Sequence, residues 1–184
     1  ARLQQCSCVG GPNENAPLVL DGHRLYLGRF WFYEDFVARK ISAMLDDETA
    51  TGPQAIGTHI DALFATEKLV DQDQKNAVLT AAGKKFSVIS GGPGSGKTST
   101  VVRILAVLLT LDPACRIALA APTGKAAARM ADSIRQRLDQ IDIDNSTTNN
   151  LPVEATTLHR LLGYRRNDFN YDENNRLPVD CVVI

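Results

Sequence analysis

Four cysteines and three histidines in 184 residues leave little material for metal or disulfide chemistry. Cys6 and Cys8 form a C-x-C pair, and no second pair stands at zinc-finger spacing. A disulfide framework and a structural zinc site are therefore set aside in favour of reduced thiols in a cytoplasmic protein. His23 and His59 stand alone and read as surface or core residues rather than ligands. No run of about eighteen apolar residues occurs, so no transmembrane helix is expected. The opening ARLQQCSCVG has no apolar core of the signal-peptide kind. It also has no initiator Met, and the closing LPVDCVVI has the β-branched character of a buried strand. Both features create the expectation that the sequence lies inside a longer protein. There is no internal repeat and no low-complexity tract.

What is present is globular in composition, 44% apolar and 22% charged. The net charge of −1 conceals a segregation. Residues 1–73 carry a balance of −5, residues 74–137 one of +8 and residues 138–184 one of −4. A basic middle segment is where a polyanion would be held, although solvated helix faces account for such charges equally well.

The first 73 residues contain no catalytic constellation. PLVLDGHRLYLGRFW places two apolar stretches around Asp21-Gly22, a hairpin signal. YEDFVARKISAML sets Phe36, Val37, Lys40, Ile41, Met44 and Leu45 near helical spacing, a mostly apolar stripe. DETATGPQAIG reads as a break, followed by a short helix over THIDALF. This part reads as a small packing or docking domain.

From Gln74 onward helices and strands alternate. QKNAVLTAA has a helical composition, with Gly83 able to close it. FSVIS (86–90) has the pattern of a short buried strand, and residues 97–111 are apolar nearly all round, which predicts a well-buried helix ended by Asp112-Pro113. RIALAAP (116–122) is a second strand, GKAAARMADSIRQRL a helix, 139–155 a long polar surface loop, and TTLHRLLG a helical turn capped by Thr156 or Thr157. VDCVVI is a third strand. The fold class is α/β, a parallel sheet with flanking helices.

GGPGSGKT (91–98) matches G-x-x-x-x-G-K-[ST] in full, between a predicted strand and a predicted helix. Glycines let the backbone curl, so that successive N–H groups face phosphate oxygens, and the helix start adds its positive end. The predicted nucleotide-binding residues are Gly91, Gly92, Pro93, Gly94, Ser95, Gly96, Lys97, Thr98 and Ser99. Lys97 would span the β- and γ-phosphates of ATP, and the Thr98 hydroxyl would ligate Mg²⁺. A phosphate loop alone does not choose among kinases, GTPases, transporters and motors. Hydrolysis needs a second carboxylate on Mg²⁺, and VDCVVI ends where that acid would be due. The expectation is a chain cut just before its Walker B acid, hydrolysing little ATP by itself.

SVISGGPGSGKTSTV, ALAAPTGKAAARM, TTLHRLLGY and LPVDCVVI, in that order, resemble the RecD family of superfamily 1 DNA helicases. The likeness is strong over residues 74–184 and weaker over LVLDGHRLYLGRFWFYEDFVARKI. It implies an incomplete RecA-like P-loop lobe at residues 71–184, preceded by the end of an N-terminal partner-docking domain at 1–70, mainly helical with a β-hairpin. Gln74 matches the helicase Q motif, whose amide reads the adenine edge, with Gln72 a nearby competitor. APTGKAA resembles motif Ia, so that Pro122, Thr123, Gly124 and Lys125 would contact single-stranded DNA. Arg129 is either a further phosphate contact or a solvated charge. Thr157 and His159 match a further DNA-contacting motif, against the rival reading that they cap their turn. The second RecA-like domain and arginine finger of the family are absent from these residues. The resemblance implies a 5′→3′ ATP-dependent helicase subunit acting on double-strand-break ends beside RecB and RecC, in the cytoplasm and without a membrane. A stand-alone RecD-like or relaxase-associated helicase shares the same motifs. For the fragment itself, a non-catalytic nucleotide-binding interaction module is the alternative.

Overall fold

A computed structural model of the chain describes residues 5–47, 53–65, 71–138, 141, 145–166, 168–172 and 174–184. The backbone divides into two compact units, Ala1–Glu48 and Thr49–Ile184.

The first unit holds strands β1 (Val9–Gly10), β2 (Leu18–Asp21) and β3 (Arg24–Leu27), followed by helix α1 (Gly28–Asp46). β2 and β3 pair antiparallel with Asp21 opposite Arg24, so the Asp-Gly signal does mark a hairpin turn. β1 adds to β2 in parallel. Val19 and Trp31 are buried. The helical spacing read over α1 is also found, but its stripe is not covered: Phe36, Val37, Met44 and Leu45 are all exposed.

The second unit begins with helices α2 (Pro53–Phe64), α3 (Gln72–Gly83) and α4 (Lys97–Leu111). It continues through strand β4 (Ile117–Ala121), helices α5 (Gly124–Leu138) and α6 (Asn145–Asn150), strand β5 (Ala155–Thr157), the single turn α7 (Leu158–Leu161) and strand β6 (Cys181–Val183). The three strands form a parallel sheet in the order β5-β4-β6. The nearly all-round apolarity of α4 is explained by two cores that share it. On one side Ile104 and Val107 pack with Ile56, Ile60 and Phe64 of α2 and Val78 and Ala82 of α3. On the other, Val102, Leu105 and Leu109 pack with Leu119 of β4, Ile134 of α5 and Leu151. Among the described residues no helix is long and apolar enough to cross a membrane.

Several elements differ from the sequence reading. By contacts the backbone divides after Glu48, and α2 spends its apolar face on α3 and α4. Residues 86–90 form no strand: FSVIS runs without a ladder, and Val88 is 76% exposed. Apolar, β-branched composition is not enough where no partner strand takes up the backbone groups. The polar stretch 139–155 is not all loop, since α6 and the start of β5 lie in it and Leu151 is buried in the second core. Its residues 139–140 and 142–144 lie outside the described ones. β6 is a strand as expected but not a buried one, with Val182 and Ile184 exposed.

One polar clip fixes the sheet at its opposite end from the strand C-termini. Arg116 forks onto Asp180, with Nε to Oδ2 at 3.0 Å and Nη2 to Oδ1 at 2.9 Å. The Arg116 N–H also donates to Asp180 Oδ2 at 2.9 Å, and the Asp180 N–H returns a bond to the Arg116 carbonyl at 2.8 Å. This sets the register that follows, Ile117 opposite Cys181. Arg116 holds the Asp180 carboxyl well below the ordinary carboxylate value, at about 2. Burial pushes the neighbouring Cys181 thiol up to about 11, so it stays protonated.

Two outcomes follow from this packing. Ile60→Ala should cost about 2–5 kcal/mol, read as a lower urea midpoint at unchanged slope, because the cavity opens between three helices. In the acid range the unfolded chain binds a proton at Asp180 before the folded chain does, so the clip's contribution is full above the ordinary carboxylate value and is lost as pH falls toward about 2. Asp180→Asn should therefore flatten the pH dependence of the unfolding midpoint between those limits; a profile parallel to the native one would refute the clip.

Candidate nucleotide and nucleic-acid site

The nucleotide loop is built by glycines at its sharpest points. Gly94 and Gly96 take φ of +78° and +77°, a region costly to any side chain. Gly96 is the N-cap of α4 and offers no side-chain bond to the helix start, and an uncapped helix start of this kind can meet an anion. α3, α5 and α7 are instead capped by Asp71, Thr123 and Thr157 respectively. The Lys97 ammonium folds into the curl, donating to the carbonyls of Gly91 (2.5 Å) and Gly92 (2.6 Å), with Ser95 Oγ at 3.5 Å. Pro93 forms the exposed tip, and Thr98 and Ser99 lie half-buried in the first turn of α4. A Cβ on Gly91 would stand 2.5 Å from Ser95 Oγ, so the curl closes tightly on itself.

Gln74 is brought to this loop although it lies far away in sequence. A Cβ on Gly96 would fall 2.6 Å from Gln74 Nε2. The Gln74 amide is held at both ends: Nε2 donates to Asp71 Oδ2 (2.9 Å), and Oε1 accepts from Arg103 Nη1 (3.1 Å). Arg103 in turn lies over the Phe64 ring, 4.7 Å from its centroid. Asp71 also caps α3, accepting from the N–H groups of Asp73 and Gln74. These bonds, the Gln74 backbone first, hold the Asp71 carboxyl below the usual carboxylate range. The competitor Gln72 turns along its own helix to Asn76 Oδ1 at 3.1 Å. Asp71 and Arg103 were missed in the sequence. Asp71 was readable as an acid just before a helix, and Arg103 as the one charge inside an apolar helix beyond its first residue, Lys97.

A second set of predicted residues gathers at the C-terminal ends of β4 and β5. The parallel register puts Ala121 opposite Thr157, so the turn Pro122–Lys125 and the turn Thr157–His159 leave neighbouring strands at the same rim. Pro122, Thr123, Gly124, Lys125 and His159 are exposed, and Thr157 is half-buried. The two threonines serve as caps: Thr123 Oγ1 accepts from the Ala126 N–H and Thr157 Oγ1 from the Arg160 N–H, each at 3.2 Å. A hydroxyl that accepts in this way keeps its own proton to donate.

A family model described as "AAA domain" matches residues 74–184. The chain belongs to this family. It is also similar to "RecBCD enzyme subunit RecD" of Mycolicibacterium smegmatis, at 39% identity over 91% of the chain and 30% of that protein. Against the protein of the same name from Haemophilus influenzae the identity is 37%, over 94% of the chain and 28% of the relative. "ATP-dependent RecD2 DNA helicase" of Deinococcus radiodurans is 29% identical over 79% of the chain and 18% of its own length. The chain thus spans less than a third of each of these relatives. As an AAA domain, it carries its glycine loop, residues 91–98, inside the matched region.

Gly96→Ala should be poorly tolerated, since it combines a positive φ with a clash against Gln74. A loss of about 1–3 kcal/mol is expected, together with a shifted Gln74 side-chain amide resonance. An unmoved amide and unchanged stability would show that the loop does not hold this shape.

Proposed function

We propose that the chain forms part of the nucleotide-binding lobe of an ATP-driven DNA helicase subunit of the RecBCD type, moving 5′→3′ and acting on duplex ends in double-strand-break repair and recombination in the cytoplasm. The observation that carries this is the closed glycine curl around Lys97 at the uncapped start of a buried helix, with Gln74 pressed against Gly96. Gly91, Gly92, Gly94, Ser95 and Gly96 cradle the triphosphate through backbone N–H groups, with Pro93, which has no N–H to give, shaping the tip and Ser99 behind them. Lys97 exchanges its loop carbonyls for phosphate oxygens, and Gln74 stands at the loop's edge to read the adenine. The half-buried Thr98 hydroxyl suits Mg²⁺, which would neutralise the charge developing on the β- and γ-phosphates. Single-stranded DNA runs over the other rim, held by Pro122, Thr123, Gly124, Lys125, Thr157 and His159. Strand-end turns with exposed backbone and hydroxyl donors suit phosphates.

RecB and RecC are the partners this reading assigns, and the uncovered face of α1, with Phe36, Val37, Met44 and Leu45, supplies apolar surface for such docking. The alternative of a stand-alone helicase is less supported, because the RecD2 likeness is both lower in identity and shorter. Co-purification with RecB and RecC separates the two.

Lys97→Ala should weaken equilibrium binding of a fluorescent ATP analogue by roughly a hundredfold, the scale of losing a charge-assisted contact on phosphate. The melting temperature should stay near that of the native protein, because Lys97 is exposed. Undiminished affinity in this variant would remove the nucleotide reading.

A further inference from the structure

The segment after β5 carries a feature that the nucleotide loop does not use. α7 is one turn long and ends on Gly163, which takes φ +66°. The Gly163 N–H donates to the Arg160 carbonyl (3.1 Å) and the Tyr164 N–H reaches back to the His159 carbonyl (2.8 Å). This pair of bonds is the Schellman motif, which lays the residue after the glycine against the one that opens the last turn. Here those residues are aromatic: the Tyr164 and His159 rings meet edge to face, 5.1 Å between centroids.

The chain then doubles back. Arg165 and Asp168 exchange backbone hydrogen bonds at 2.8 and 3.0 Å, and the Asn170 N–H donates to the Leu162 carbonyl at 3.1 Å. That return carries Phe169 to 4.9 Å from Tyr164 and to 6.4 Å from His159, where the planes differ by only 27°. A Cβ on Gly163 would lie 2.7 Å from the Asn170 Cβ, so the glycine permits both the cap and the return.

Three rings in contact are usually a core, and these are not. Tyr164 is 41% and Phe169 45% exposed, and His159 is exposed as well. Backbone bonds, rather than burial, hold them in place. Arg160, Arg165 and Arg166 stand exposed among them. The acids of the segment are turned inward to the backbone: Asp168 Oδ1 accepts from the Phe169 N–H (2.8 Å), and Asp172 Oδ1 accepts from Asn174 (2.7 Å) and Asn175 (2.8 Å). Glu173 lies outside the described residues. Open rings interleaved with guanidinium groups match the needs of a single strand, whose bases stack while its phosphates seek cations. The cluster continues directly from Thr157, in register with Ala121, and so shares the rim with Pro122–Lys125.

We propose that His159, Tyr164 and Phe169 form a base-stacking platform for single-stranded nucleic acid, with Arg160, Arg165 and Arg166 holding the backbone beside it. This rests on the reading of that rim as DNA-binding, and adds to it the part that engages bases rather than phosphates.

The test compares two labelled strands about twenty nucleotides long, one oligothymidine and one abasic, by fluorescence anisotropy with the purified protein. Tyr164→Ala with Phe169→Ala should weaken oligothymidine binding by roughly tenfold for each ring lost. It should leave abasic binding and the salt dependence unchanged, because stacking releases no counterions. Tyr164→Trp and Phe169→Trp, which keep a ring, should retain affinity. Equal weakening on both strands would mean that the rings only brace the turn, and full oligothymidine binding by the double variant would mean that they touch no bases; either overturns the platform alone. If the native protein binds neither strand, the DNA reading of the rim falls, and the platform with it.

Discussion

Helix α4 is the member on which the second unit depends. It is buried on two sides, and each side closes a different core: α2 and α3 on one, β4 and α5 on the other. Each fully buried aliphatic side chain of this kind contributes about 1.5–3 kcal/mol, so the helix cannot shift without loosening both. Its N-terminus inherits that rigidity. Gly91–Gly96 leads directly into this helix, so the shape of the loop is tied to a helix packed on both sides. The same helix delivers Arg103, whose guanidinium joins Phe64 of α2 to Gln74 of α3. The packing of α4 and the placement of the candidate residue Gln74 therefore share one scaffold.

Much of this was legible in the residues. The glycine loop, α4, β4 and α5 lie where pattern and spacing put them, because each is specified locally by glycine placement, apolar periodicity or a capping residue. Thr157 is the clearest case: capping chemistry pointed to Thr156 or Thr157, and Thr157 caps α7. What sequence could not supply depends on partners far along the chain. FSVIS has a strand's composition, yet only a neighbouring strand can make it one. The assignment of α2 to the second unit depended on where Ile56, Ile60 and Phe64 find cover. The Arg116–Asp180 fork joins residues 64 positions apart, and no local rule points from one to the other.

The candidate residues divide in the same way. The loop glycines and Lys97 announce themselves by motif. Gln74 needed the fold to separate it from Gln72, since both sit on one helix and only one faces Gly96. Tyr164 and Phe169 carry no motif at all; their meeting depends on a left-handed glycine and a two-way backbone bridge, which become visible only once the chain has folded back.

The Arg116–Asp180 fork gives the sheet a division of labour. It ties β4 to β6 where both strands begin, whereas the turns after Ala121 and Thr157 emerge where β4 and β5 finish. β4 runs five residues between these ends, a span of roughly 16 Å at ordinary strand rise. One end moors the strands, and the other carries the turns Pro122–Lys125 and Thr157–His159. A change at the fork therefore bears on how firmly β4 and β6 are tied, at the end of the sheet away from those two turns.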